Sequence, residues 1–295
     1  MSIKSGIVYF GGKSIIAESI WDKIGTVENY VEPFCGSAAV LLANPNVPKI
    51  ETINDKDCLI TNFWRAIKIN PDLVVQYCSD PPNEIEMHSK QKYIVNFVNK
   101  DFIYKIENDP EFFDAKIAGW WVWGLSCSIG NNWLKKKGLH AMPHLSTAGQ
   151  GIHGVKFDAK KQFSLLSDRL KRTRIVCSDW QKVCTPSITN KNCGLSKNGQ
   201  TFVFLDPPYN MDNRTKVYNI ESNIFKDVEK WCKDNQNFSN LKIALCGYQD
   251  DYDLPDWEIL EWKSNGGFSS LGDNRGKENS KKECVWFSPS CKLNI

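Results

Sequence analysis

The chain has 295 residues, 41% of them hydrophobic and 24% charged, with a formal net charge of +3 at pH 7. Such a composition is ordinary for a soluble globular protein and allows one large domain or two smaller ones. No apolar run is long enough to span a membrane, and the opening "MSIKSGIVYFGGKS" lacks the apolar stretch of a secretory signal, so a cytoplasmic protein is expected.

In chain order, a strand-like "IVYF" (7–10) is followed by "GGK" and a helix from about Ser14 to Ile24. In that helix Ile16, Ile20 and Ile24 recur at helical spacing, and Gly25 marks the stop. "ENYVEPF" reads as a strand, Gly36 as a turn, and "SAAVLLAN" as a small-residue helix. "KIETIND" is a second strand and "CLITNFWRAIK" an amphipathic helix with Ile60, Trp64 and Ile67 on one stripe. Strand, helix, strand, helix predicts an α/β fold with a doubly wound parallel sheet.

The pattern changes from about Gln76 to Phe157, where aromatic and turn residues replace clear strands. "EFFDAKIAGWWVWGLSCSIGNNW" begins as a helix and breaks near Gly130, and "KKKGLHAMPHLSTAGQGIHGVK" is basic and loop-like. Trp120, Trp121, Trp123 and Trp133 could serve as stacking platforms. The first three lie close together on a helix, which favours core packing. The sheet pattern then resumes with the helix "KQFSLLSDRLKR" and the strand "TRIVCSDW". The strands "TFVFLD", "LKIALCGY", "WEILEW" and "ECVWFS" come next, with the helix "ESNIFKDVEKWCKD" between the first two. A polar, Gly-rich loop spans 266–282.

Charge is unevenly spread. Residues 130–175 hold ten Lys and Arg against only Asp158 and Asp168, a local +8, while the rest of the chain sums to −5. Three of the four histidines, several glycines and Trp133 share that stretch. Basic and aromatic residues interleaved on a loop-rich segment suit phosphate contact. The eleven cysteines show no C-x-x-C spacing, and Cys127, Cys177 and Cys246 sit in apolar patterns, so reduced, buried thiols are expected. Pro143 lies between His140 and His144, which argues against a helical metal pair, and no metal is expected.

Two constellations carry chemistry. In "VEPFCGSAAV" a strand, one glycine turn and a helix of small residues suit an adenosine-type cofactor packed at a helix N-terminus. The single Gly36 disfavours a pyrophosphate and hence an NAD-type oxidoreductase. Asp55, in "NDKD" at the end of the next strand, is where a ribose-binding acid is expected. In "TFVFLDPPYN" a run apolar on both faces delivers Asp206 to the carboxyl end of a buried strand, and Pro207 and Pro208 stiffen the backbone just beyond it. A flat, amine-bearing base needs acceptors for its N–H groups and a ring to stack on. Asp206 and the Pro207 carbonyl supply the acceptors and Tyr209 the ring. Holding both hydrogens favours a pyramidal nitrogen whose lone pair is free to attack, without a covalent enzyme intermediate.

Together "YFGGK", "VEPFCGSAAV", "NDKD" and "FLDPPY", in that order, resemble the Dam-type, alpha-group DNA adenine-N6 methyltransferases of bacteria and phages. "ALCGY" and "KKECVWFSP" are similar to that family's late strands, so the resemblance spans nearly the whole chain. It implies a Rossmann-like sheet with an antiparallel last strand, S-adenosylmethionine as methyl donor, and double-stranded DNA as substrate. Residues 1–76 and 158–295 would form the catalytic methyltransferase domain, and 77–157 a mostly helical target-recognition insertion.

Position by position, Tyr9, Phe10, Gly12 and Lys13 would line the cofactor and active-site side. Glu32, Pro33, Phe34 and Gly36 would hold the methionine part, with Glu32 toward the ammonium. Asp55 would take the ribose hydroxyls, and Asp179 would accept from the cofactor's adenine amino group. Asp206, Pro207, Pro208 and Tyr209 would hold an adenine flipped from the duplex, at a cost of a few kcal/mol. Asn131, Asn132, Lys135, Lys136 and Lys137 are the candidate DNA contacts. Cys35 and Ser37 depart from the family's usual small or branched residues, and the insertion shows no readable recognition hairpin, so no target sequence carries over.

Two other readings remain at this point. Cytosine-N4 methylation is open because DPPY-like motifs serve any planar amine. A non-catalytic relative that kept the fold is disfavoured by the intact Asp55, Asp206 and Tyr209. A cytosine-C5 enzyme is set aside because Cys35 sits inside the cofactor turn.

Overall fold

The computed structural model describes residues 3–8, 12–128, 133–134, 142–144, 149–189, 199–208, 224–262 and 283–291. In chain order its elements begin with α1 (Ala17–Ile24), β1 (Asn29–Glu32), α2 (Ala39–Ala43), β2 (Ile50–Asn54) and α3 (Cys58–Ile69). Next come α4 (Pro71–Cys78), α5 (Glu84–Phe97), α6 (Lys100–Asn108), α7 (Ala115–Ser126), α8 (Ala159–Leu170) and β3 (Thr173–Val176). The last are α9 (Pro186–Thr189), β4 (Thr201–Leu205), α10 (Phe225–Asn235), β5 (Leu241–Tyr248), β6 (Glu258–Glu261) and β7 (Glu283–Phe287). They fall into two compact units: Met1–Phe10 with Asp55–Ser178, and Gly11–Asn54 with Asp179–Ile295. The fold is mixed α/β with a seven-stranded, mostly parallel sheet, as in Rossmann-like methyltransferases.

Six of the strands belong to the second unit, in the order β2-β1-β4-β5-β7-β6. β1 is parallel to β2 and β4, and β4 to β5. β7 runs antiparallel to both β5 and β6, so the sheet ends in the antiparallel turn that the resemblance implied. Every residue of β1 and β4 is buried; β4 accordingly runs apolar without alternation, while β1 buries the polar Asn29 and Glu32 at its two ends. Register places Val31 opposite Val203, and Val203 opposite Ile243, so β1, β4 and β5 end at one edge. α1 packs Ile20, Trp21 and Ile24 inward. Its Trp21 indole donates to the Val40 carbonyl at 2.7 Å and meets the Tyr30 and Phe202 rings at 5.3 Å.

The first unit is built on α3. Asp57 caps it by accepting from the Leu59 amide at 2.9 Å, and every residue from Leu59 to Ile67 is buried. Phe63 meets the rings of Trp64, Trp121 on α7 and Phe163 on α8. The Arg65 guanidinium is 4% exposed and donates to the carbonyls of Ile106 (2.9 Å), Asp109 (2.8 Å) and Phe112 (3.3 Å), tying down the end of α6. Lys90 lies buried between Asp80 and Glu86, over the Trp123 ring. Trp121 and Trp123 are core residues, as their spacing suggested, while Trp120, expected with them, is half-buried against Tyr77 and Tyr93; Trp133, for which spacing predicted nothing, is also buried.

Two expectations shift. Ile7 and Val8, read as an opening strand, belong to no element. Gly6 beside them has φ 73 and abuts the Phe157 ring, so local packing directs this segment. The helix after Gly36 starts at Ala39 because Gly36 (φ 44) and Ala38 (φ 51) both adopt left-handed backbone. The ten described cysteines are free, nine of them buried and Cys58 half-buried. Among the described residues no helix is long and apolar enough to cross a membrane.

Candidate active site

β4 delivers its chain to the edge where the parallel strands end, and Asp206 is the next residue. A residue before proline avoids the helical region, and Pro207 and Pro208 donate no backbone hydrogen bond, so the carboxylate stands on a stiff extended segment. Lys13 reaches it from the start of α1, where its carbonyl accepts from the amides of Ile16 (3.1 Å) and Ala17 (2.9 Å). Its ammonium lies 2.8 Å from Asp206 Oδ2; the Lys13 side chain is 4% exposed and that of Asp206 19%. The same ammonium sits 6.0 Å from the centre of the Trp262 ring.

Asp206 Oδ1 is buried with no hydrogen-bond partner among the described residues. A carboxylate with one oxygen held by a cation and the other left open is an acceptor awaiting a donor. Two further groups feel this pair. Burial pushes the Glu283 carboxyl up, with Lys13 opposing and Asp206 adding to the shift. Burial, reinforced by Asp206 and opposed by Lys13, raises the Cys246 thiol well above its ordinary value, so it stays neutral.

The second constellation is the turn after β1. Glu32 ends that strand 2% exposed, and its Oε2 accepts from the Tyr30 hydroxyl at 2.9 Å. Burial and this carboxylate hold the Tyr30 phenol well above its ordinary range. Asn54 braces the turn twice: its side-chain amide donates to the Pro33 carbonyl and its own carbonyl accepts from the Cys35 amide, both at 2.9 Å. The left-handed Gly36 and Ala38 then tighten the chain, and the Ala38 amide donates to the Cys35 carbonyl at 2.6 Å. Phe34 faces the Trp180 ring at 6.1 Å, and Asp179 caps the short turn carrying Trp180 by accepting from the Gln181 amide at 3.2 Å.

Gly12, Lys13, Glu32, Pro33, Phe34, Gly36, Asp179, Asp206, Pro207 and Pro208 all lie in the second unit. Lys13, expected on the cofactor and active-site side, pairs directly with Asp206. Asp55 belongs to the first unit, where its carboxylate accepts from the Asp57 amide at 2.9 Å and its carbonyl from the Thr61 hydroxyl at 3.1 Å. Tyr9, Phe10, Tyr209, Asn131, Asn132, Lys135, Lys136 and Lys137 lie outside the described residues. Sequence reasoning missed Asn54, Trp180, Trp262 and Glu283. For Glu283 the signal was a carboxylate opening an otherwise apolar strand.

Comparison with known proteins converges on the same chemistry. Residues 9–236 match the model of the D12 class N6 adenine-specific DNA methyltransferase family. The chain is also 24% identical over 232 residues to "Type II methyltransferase M.MjaIII" of Methanocaldococcus jannaschii, covering 74% of this chain and 73% of that protein. With the family match spanning most of its length, this chain belongs to the D12 class N6 adenine-specific DNA methyltransferases.

Proposed function

We propose that the protein transfers the methyl group of S-adenosylmethionine to N6 of an adenine turned out of double-stranded DNA, with Asp206 as the carboxylate that receives the amine. The observation that carries this reading is the open Asp206 Oδ1 beside an Oδ2 fixed by Lys13. Oδ1 accepts one N–H of the exocyclic amine, and the Pro207 carbonyl is suited to the other. Pro208 keeps the segment extended, and Tyr209 stacks on the base. Because Lys13 fixes the carboxylate's orientation, no reorganisation is needed when the amine arrives.

The groups around the β1 turn fit a cationic, phosphate-free nucleoside. Residues 32–38 contain the buried Glu32 carboxylate and no cation. Glu32 with Pro33, Phe34 and Gly36 would hold the amino-acid part, and Asp179 the adenine amino group. Asp55 would hold the ribose hydroxyls, while Gly12 and Lys13, with Tyr9 and Phe10, would line the side facing the base. When bound, S-adenosylmethionine supplies an electrophilic methyl group on a sulfonium.

Residues 1–76 with 158–295 serve in this reading as the catalytic part, and 77–157 as the target-recognition insertion. Asn131, Asn132 and Lys135 to Lys137 contact DNA there, on the stretch that carries the local positive charge. A DNA substrate accords with the cytoplasmic location expected from the sequence. The likeness to a type II methyltransferase supports action at a specific site. The test is Asp206→Ala, which is expected to abolish methyl transfer while S-adenosylmethionine still binds by calorimetry. Near-normal activity in that variant would overturn the assignment.

A further inference from the structure

Three buried polar atoms with no hydrogen-bond partner among the described residues belong to side chains around Lys13: Asp206 Oδ1, Glu283 Oε2 and Trp262 Nε1. Native proteins leave few such atoms, and each calls for a reason. Asp206 has one in the acceptor amine. Glu283 has none so far. It is the first residue of β7, opposite Tyr248, the last residue of β5. Because β7 is antiparallel, its start lies at the carboxyl end of β5, and β5 is the neighbour of β4, which delivers Asp206. The Trp262 amide donates to the Glu283 carbonyl at 3.3 Å, which fixes the backbone there.

The reaction needs a group of this kind. The amine nitrogen attacks the methyl carbon with its lone pair, and the carbon–sulfur bond breaks with its pair left on sulfur. As the new bond forms, positive charge grows on a nitrogen that still holds both hydrogens, so a base that relieves this charge in the same step speeds the transfer. One N–H bond must break, leaving its electron pair on nitrogen and passing a proton to a base. Asp206 already has one oxygen committed to Lys13. We propose that Glu283 is the proton-accepting residue of the methyl-transfer site, taking, across at most one water, the proton that the methylated nitrogen must lose. Glu283 carboxylate becomes the neutral acid and later returns the proton to solvent. This inference rests on Asp206 being the carboxylate that receives the amine.

The surroundings suit the task. Burial raises the proton affinity of Glu283, Asp206 adds to it, and Lys13 restrains it. Of the other groups packed nearby, Cys246 on β5 and Cys284 on β7 are thiols raised by burial, Cys284 to about 12. Tyr248 stands opposite on β5, and Asp251 and Glu261 act on neighbouring Cys284.

The experiment is single-turnover methyl transfer against pH for wild type, Glu283→Gln, Glu283→Asp and Asp206→Ala, with calorimetric S-adenosylmethionine binding and a thermal melt for each. Wild type is expected to lose rate as pH falls through the raised Glu283 pKa, because the neutral acid accepts no proton. Glu283→Gln should be about a hundredfold slower and lack that acid limb, with cofactor binding unchanged. Glu283→Asp should recover part of both rate and limb. A Glu283→Gln rate within twofold of wild type, or an equal loss at every pH with the limb in place, would overturn the proposal. An active Asp206→Ala enzyme would instead undo the underlying site assignment. An inactive Asp206→Ala beside a wild-type-like Glu283→Gln would remove Glu283 alone.

Discussion

The Lys13 ammonium lies 2.8 Å from Asp206 Oδ2, so the GGK opening and the DPPY segment meet as one ion pair, buried on the lysine side and partly exposed on the carboxylate side. Removing one partner of such a pair leaves the other charge stranded, which costs more than the pair contributes. Lys13→Met is therefore expected to lower stability by about 3 kcal/mol in urea denaturation. It should also remove methyl transfer, because Asp206 loses the contact that orients it. A Lys13→Met protein with wild-type stability and activity would show that the pair is incidental.

Glu32 gives a separable effect. Its buried carboxylate sits at the β1 turn, distant in sequence from Asp206, with Tyr30 as its hydroxyl donor. Glu32→Gln is expected to weaken S-adenosylmethionine binding at least about tenfold, the loss of one charge-assisted hydrogen bond. Asp206→Ala should leave that affinity intact. Calorimetry on both variants decides, and equal losses in the two would mean that the two constellations are not distinct.

Stability and function should part at Glu283. A carboxyl whose folded pKa is raised binds its proton more tightly in the folded than in the unfolded chain. Stability from this group is present at acid pH and lost as pH rises from the ordinary carboxylate range through the raised value. Glu283→Gln lacks that loss. Its melting temperature at neutral pH should exceed wild type even as its activity falls, and the gap should close near pH 4. A variant less stable than wild type at neutral pH would contradict the sign.

Arg65 makes a prediction for the first unit. One guanidinium satisfies carbonyls of Ile106, Asp109 and Phe112, and no other side chain has its reach and donor fork. Arg65→Ala should cost about 3 kcal/mol or more, since it orphans several buried acceptors. Arg65→Lys should recover only part. Chemical denaturation followed by tryptophan fluorescence measures both.

The thiols should be slow. Nine of the ten described cysteines are buried, and burial raises Cys78 to about 12 and Cys177 to about 11. At pH 8 in native buffer, alkylation should be slow at all ten, because burial raises even the half-buried Cys58 thiol above Cys78 and Cys177, and all eleven cysteines of the chain should react in denaturant. Peptide mass spectrometry reads the labelling, and rapid native labelling of Cys177 or Cys246 would contradict the packing.

The sheet was legible because burial on both faces writes itself as an unbroken apolar run. "TFVFL" and "LKIALCGY" became β4 and β5, and the residue after β4 had to be the one at the carboxyl edge. α3 was legible for the same reason: its stripe and its Asp57 cap are both local signals. What the sequence concealed was set by contacts distant in chain. Gly6 packs on Phe157, and no local pattern tells "IVYF" that its first half forms no strand. Glu283 comes after two lysines and looks like the wet end of a strand. Only the antiparallel register with Tyr248 brings it toward Asp206. Lys13 was read as lining the cofactor and active-site side, and its ion-pair partner, 193 positions later in the chain, became visible only in the fold.

The most direct test of the central claim is labelled methyl transfer from S-adenosylmethionine to mixed-sequence double-stranded DNA, followed by nucleoside mass spectrometry. The label is expected in N6-methyladenine with the wild-type protein and to be absent with Asp206→Ala. Label in N4-methylcytosine, or N6-methyladenine at undiminished levels from Asp206→Ala, would contradict it.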